Sequence, residues 1–124
     1  MKILITIARV LLGLMFVVFG SNVFLHFIPM PPPPAGPAGE FMHSLFVSHY
    51  FYVVGALQVV GGLFCLAGRY VPFGLTLLGP VIVNIIVFHL LMEPSGILPG
   101  AVAAVLALIV LYGYRSAFAG LVKP

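Results

Sequence analysis

The sequence predicts an all-α integral membrane protein, a four-helix bundle with both termini cytoplasmic. Three observations lead there. The 124-residue chain is 63% hydrophobic, and only 6% of its residues are charged. A soluble domain carries about 25% charged residues, so seven Lys, Arg, Asp and Glu are too few to cover a water-soluble core. Four apolar stretches follow one another, each about as long as the ~20 residues needed to cross a bilayer. Finally, all five basic residues map to one side of the membrane once the chain is threaded through those four spans.

The first span runs from about residue 3 to 28. It resembles a secretory leader at its start, but Arg9 interrupts the would-be apolar core and the apolar run continues past Gly20 to Ile28. A proline-rich outer loop, residues 29–39, follows; it is too rich in proline for helix and is expected to be extended and stiff. The second span covers about 41–67 and ends at Gly68-Arg69. The third covers about 71–92 and ends at Glu93-Pro94, and Pro80 within it predicts a kink, since it cannot donate to the carbonyl of Thr76. The fourth covers about 97–114 and ends at Arg115. It is alanine-rich and reads as scaffold. The breaks are Pro/Gly-rich or charged, as helix boundaries should be.

Charge sets the orientation. Lys2, Arg9, Arg69, Arg115 and Lys123 fall on one side, while the first and third connections carry Glu40 and Glu93 and no Lys or Arg. The positive-inside rule makes the basic side cytoplasmic. Tyr70, Tyr112 and Tyr114 fit an aromatic belt there, and Tyr50 and Tyr52 lie towards the other end.

Lipid gives helices no hydrophobic drive to associate, so small and polar residues mark the contacts. Ser44, Ser48, Phe51, Gly55, Gln58, Gly62 and Cys65 recur at alternating spacings of four and three along the second span, a predicted packing seam. Gln58 is its costly member and calls for a partner within the bundle. Arg9 has two readings: it snorkels to the headgroups, or it turns inward to Gln58 or to backbone carbonyls.

The chemistry-bearing residues gather towards the outer side. Asn22 and His26 stand one turn apart on the first span, as do His89 and Glu93 on the third. His43 and His49 lie in the outer half of the second span, and Asn84 lies below His89. Ionisable residues within a membrane are functional hypotheses by default. Asn22, His26, His49, Asn84, His89 and Glu93 are the candidate ligand-binding residues; Arg9 and Gln58 are candidate structural polar residues. His49 points away from the seam and Asn84 is about 140° from His89 on an ideal helix, so not all six converge. Interfacial histidines, a pocket for a quinone headgroup or other small molecule, and metal or haem ligation are the readings open at this point. No HxxH or HxxxH spacing is present, and no metal ligand is assigned. A pocket shared by His26 and His89 beneath the proline loop is expected.

Several classes are excluded. A soluble enzyme, a disordered chain and a nucleic-acid binder do not fit this composition; the pI near 9.4 rests on five scattered basic residues. The single Cys65 excludes dithiol chemistry within the chain, and no catalytic motif is present.

Three stretches carry a family likeness. They are Arg9-Val-Leu-Leu-Gly-Leu-Met-Phe-Val-Val-Phe-Gly20, Gly55-Ala-Leu-Gln-Val-Val-Gly-Gly-Leu-Phe-Cys-Leu-Ala-Gly-Arg69, and the segment from Pro80 to His89. In this order and spacing, over nearly the whole chain, the sequence resembles the DoxX family of small four-span bacterial membrane proteins. The resemblance implies a four-helix bundle in the bacterial inner membrane and a link to membrane oxidoreductase systems, in some members through quinone or sulfur metabolism. Arg9 and the glycines of the first two spans are the positions that match; the histidine cluster stands outside the resemblance. The expectation is an accessory subunit of a membrane redox process, with a quinone-like molecule in its outer pocket and membrane oxidoreductase subunits as partners. A small homo-oligomeric transporter or a structural member of a larger complex are the alternatives.

Overall fold

The computed structural model describes residues 1–29 and 32–124. Among these the chain is helical and forms no strand. Five α-helices follow in order: α1 (Lys2–Leu25), α2 (Pro37–Val47), α3 (Tyr50–Ala67), α4 (Val71–Leu91) and α5 (Ile97–Gly113). Short 3-10 segments, Pro94–Gly96 and Arg115–Val122, flank α5. Four helical segments, Lys2–Leu25, Tyr50–Ala67, Val71–Leu91 and Pro94–Gly113, are long and apolar enough to cross a membrane.

α1 packs against α3 and α5, and α4 packs against the same two helices from the opposite side. α1 and α4 are therefore diagonal, and each helix packs against the helices that precede and follow it around the ring. Leu12 and Phe16 of α1, Cys65 of α3, Leu75, Leu78 and Ile82 of α4 and Ala103 and Val110 of α5 fill the axis. The outward faces carry Leu, Ile, Val and Phe, the inverse of a soluble bundle.

The most extensive contact is between α1 and α3, and glycine makes it. A Cβ on Gly13 would stand 2.6 Å from the Leu66 nitrogen and 2.7 Å from the Gly62 carbonyl oxygen, and one on Gly62 would stand 2.9 Å from the Gly13 oxygen. Backbone meets backbone there, as small residues in apolar helices allow. The α3–α4 contact repeats the device on a smaller scale, with Gly61 against Leu78 and Gly74 against Phe64.

The structure corrects the second span. The stretch predicted as one helix over 41–67 is two helices, broken where His49 takes the left-handed conformation (φ 62°). Ser48 turns its hydroxyl back to the Ser44 carbonyl at 2.6 Å and accepts the Tyr50 N–H at 3.2 Å. Serine thus offers the backbone a local alternative to helical continuation. The predicted seam divides with the helix: Gly55, Gln58, Gly62 and Cys65 are buried, Phe51 is half-buried, and Ser44 and Ser48 are exposed.

Other boundaries shift less. α1 stops at Leu25 rather than 28, with His26 in the left-handed conformation (φ 52°). The predicted loop over 29–39 gives way to helix at Pro37, which follows Gly36 (φ 77°); Met30 and Pro31 of that loop lie outside the described residues. α4 continues through Pro80 to Leu91.

The two ends of the bundle differ in charge. Arg9 lies beside Gly68 and Ile5 beside Gly113, so Lys2, Arg9, Arg69 and Arg115 share one end. Glu40 and Glu93 stand at the other.

Candidate functional site

Arg9 and Asn22 mark the two ends of α1, and both are engaged with backbone. The Arg9 guanidinium donates from Nη1 to the carbonyls of Cys65 and Leu66, the latter at 3.2 Å. These are among the last carbonyls of α3, which have no partner within their own helix. Of the two readings of Arg9, the inward one, onto backbone carbonyls, describes its position. Asn22 is buried, and its Oδ1 accepts the Ile28 N–H at 2.8 Å. It ties down the chain just beyond α1. Gln58 is buried on α3, with its Cβ against Gly20.

The histidines do not share one position. His26 is exposed at the end of α1. His89 is half-buried near the end of α4, with Nδ1 2.8 Å from the Ile85 carbonyl oxygen. A carbonyl only accepts, so Nδ1 is the donor in this contact. α4 ends at Leu91, and the Glu93 N–H beyond it still bonds the His89 carbonyl at 3.3 Å. Both side chains border Gly96: a Cβ built there stands 3.1 Å from His89 Nε2 and 4.0 Å from Glu93 Oε2. Asn84 faces outward from α4 and donates from Nδ2 to the Pro80 carbonyl at 2.8 Å. His26 and His89 belong to the diagonal pair α1 and α4. Among the described residues, no three His, Cys, Asp or Glu side chains are grouped to hold a metal ion.

His49 has the most organised surroundings. Its ring lies nearly parallel to that of Tyr52, with centroids 5.6 Å apart and planes 10° apart. Tyr52 in turn lies nearly parallel to Phe24 of α1, at 5.4 Å and 19°. Three rings thus form a ladder across the C-terminal end of α1 and the N-terminal end of α3. Below it a groove of about 380 Å³ runs between the two helices, lined by Ser21, Phe24 and Leu25 on one side and Ala56, Val59 and Val60 on the other. Phe24 belongs to both features.

The ladder has a local cause. The break at Ser48–His49 turns the His49 side chain back over the first turn of α3, where Tyr52 stands three residues on. Gly55, one turn further, lets Val23 and Phe24 approach α3 closely: a Cβ there would stand 2.9 Å from Val23 Cβ and 3.2 Å from Phe24 Cε2. A second groove, about 330 Å³, lies on α5 along Leu98, Ala101, Val102, Val105 and Leu106. Its lining has no aromatic ring and no polar side chain.

Sequence reasoning placed His49 among the site residues but missed Ser21, Phe24, Tyr52 and Ala56. The signal available was the His49–Tyr52 spacing of three within an aromatic cluster. Phe24 required the α1–α3 pairing, which the Gly13, Gly20, Gly55 and Gly62 pattern suggests. No family model matches this chain, and neither a curated protein nor a solved structure matches it.

Proposed function

We propose that this chain is a DoxX-like protein of the bacterial inner membrane, an accessory subunit of a membrane redox process that holds a quinone-like molecule between α1 and α3. The observation that carries this reading is the His49–Tyr52–Phe24 ladder set directly above an apolar groove. A quinone has a flat ring with polar edges and an apolar tail. Parallel aromatic rings favour offset stacking of a further flat ring, and the His49 imidazole can donate to or accept from a ring oxygen. The tail would follow Ala56 and Val60 into the hydrocarbon.

Of the residues expected to bind ligand, His49 keeps that role in this proposal. Asn22 serves the fold through Ile28, and His26, Asn84, His89 and Glu93 are not part of the ring ladder that reaches the groove through Phe24. The basic end of the bundle faces the cytoplasm in this reading, as the positive-inside rule requires, and His49 faces the outer leaflet. The transporter alternative has less support, because Leu12, Phe16, Leu78 and Val110 close the bundle axis.

Equilibrium binding of a short-tailed benzoquinone to the protein in nanodiscs tests the reading. Ala56→Phe fills the groove and Tyr52→Leu breaks the ladder; each should weaken binding several-fold, since an aromatic pair is worth about 0.5–1.5 kcal/mol. Ala101→Phe, in the groove on α5, should leave it unchanged. Equal affinity in all three variants would remove the proposal.

A further inference from the structure

We infer that the outward face of α4 is an interface between two copies of this chain, centred on Asn84. The inference rests on the four helices crossing the membrane and is independent of any ligand in the groove.

Asn84 lies 13 residues beyond Val71 and seven before Leu91, hence about 20 Å and about 10 Å from the two helix ends. In a hydrocarbon layer about 30 Å thick, that depth is out of reach of water and headgroups. The side chain is nonetheless exposed on the bundle surface. One amide N–H is used on the Pro80 carbonyl. Among the described residues Oδ1 and the other N–H have no partner, and lipid tails offer none. On α5 the exposed residues at hydrocarbon depth are Leu98, Val102, Val105 and Leu108, so α4 stands out.

The surroundings favour close approach. Thr76, Pro80, Val83, Asn84 and Val87 are all exposed and fall within an arc of about 100°. Beside them Gly79 borders open space: a Cβ built there meets nothing within 4 Å. Phe73 and Leu91 stand on the same arc towards the two helix ends; between them small residues beside an unmet amide are the setting in which apolar helices associate.

The identity of the occupant follows from depth. Copies of one chain insert in the same orientation, so every copy carries Asn84 at the same level. A two-fold axis along the membrane normal brings these faces together. Each Oδ1 then accepts from the other chain's Nδ2, and the amide is its own complement. A different partner would need a polar group at that same depth.

The test uses the full chain in lipid vesicles. Single-molecule photobleaching over a range of protein-to-lipid ratios should show dimers, and Asn84→Leu should raise the dissociation constant about tenfold, the worth of two interhelical hydrogen bonds. Because Asn84 is exposed, that variant should keep its thermal stability. Val83→Cys or Val87→Cys should cross-link under mild oxidation, while Leu108→Cys should not; Cys65 is fully buried and silent. Monomers at every ratio, undiminished dimerisation of Asn84→Leu, or cross-linking through Leu108→Cys in place of the α4 positions would each overturn the inference.

Discussion

The guanidinium of Arg9 lies over Gly68, closing the end of a helix to which it does not belong. A Cβ on Gly68 would stand 2.8 Å from Arg9 Nη1, and Gly68 itself has φ 73°, so glycine is required there twice, for the turn and for the room. The cation also meets the negative end of the α3 dipole. α3 ends in its own glycine cap, with the Gly68 N–H on the Phe64 carbonyl, and α1 adds from another element the donor for the Cys65 and Leu66 carbonyls.

Arg9→Leu should therefore destabilise the bundle. Hydrogen bonds to a charged group contribute about 1.5–3 kcal/mol, and the loss should appear as a lower midpoint in detergent thermal unfolding. Arg9→Lys should recover part of it, because an ammonium keeps the charge and loses the planar fork. A Leu variant as stable as the parent would mean that the carbonyls find water.

The glycine contact between α1 and α3 should be intolerant of a single methyl group. Gly13→Ala and Gly62→Ala each drive a Cβ into backbone atoms, and overpacking of that kind costs about 1–3 kcal/mol, more than the ~1 kcal/mol that alanine gains in helix propensity. Gly79→Ala meets open space and should leave the unfolding midpoint unchanged or raise it. The order of the three midpoints checks the packing without reference to function.

Much of this was readable from residues. Apolar length located the four spans, because length is what a bilayer dictates. Gly55, Gln58, Gly62 and Cys65 were correctly assigned to the buried side of the second span, since small residues are what close packing in lipid requires. The break at Ser48–His49 was not readable: no glycine or proline marks it, and the heptad spacing from Ser44 runs through it unbroken. Its cause is a serine hydroxyl competing for backbone groups, a choice that periodicity does not report. The polar residues at that end of the bundle are ambiguous for a related reason. Asn22, Asn84 and His89 each make one bond to backbone nearby, so their clustering in sequence reflects helix ends and a proline carbonyl as much as a common pocket. The ladder was hidden because one of its three rings, Phe24, comes from another helix.

Asn22 offers a way to separate fold from site. Asn22→Ala leaves the Ile28 N–H without its acceptor and should cost about 1 kcal/mol of stability. Quinone affinity of the folded protein should be unchanged. If affinity falls and the unfolding midpoint does not, Asn22 belongs to the ligand and not to the end of α1.

Orientation is open to chemical labelling. Ala35 and Ser116 are both exposed, and the native Cys65 is buried, so the background is low. A membrane-impermeant maleimide added outside intact cells should modify Ala35→Cys and spare Ser116→Cys. The opposite pattern would invert the protein in the membrane and turn the ladder towards the cytoplasm.

The most direct measurement of the account is to map where a quinone touches this chain. A benzoquinone with a short photoactivatable tail, irradiated with the protein in nanodiscs, should give saturable adducts on Ser21, Phe24 or Leu25 of α1 and on Ala56 or Val60 of α3, all competed away by unlabelled quinone. Adducts that do not saturate, or that gather on α5 around Val102 and Val105, would show that the probe reports lipid exposure alone and would contradict a site beneath the His49–Tyr52–Phe24 ladder.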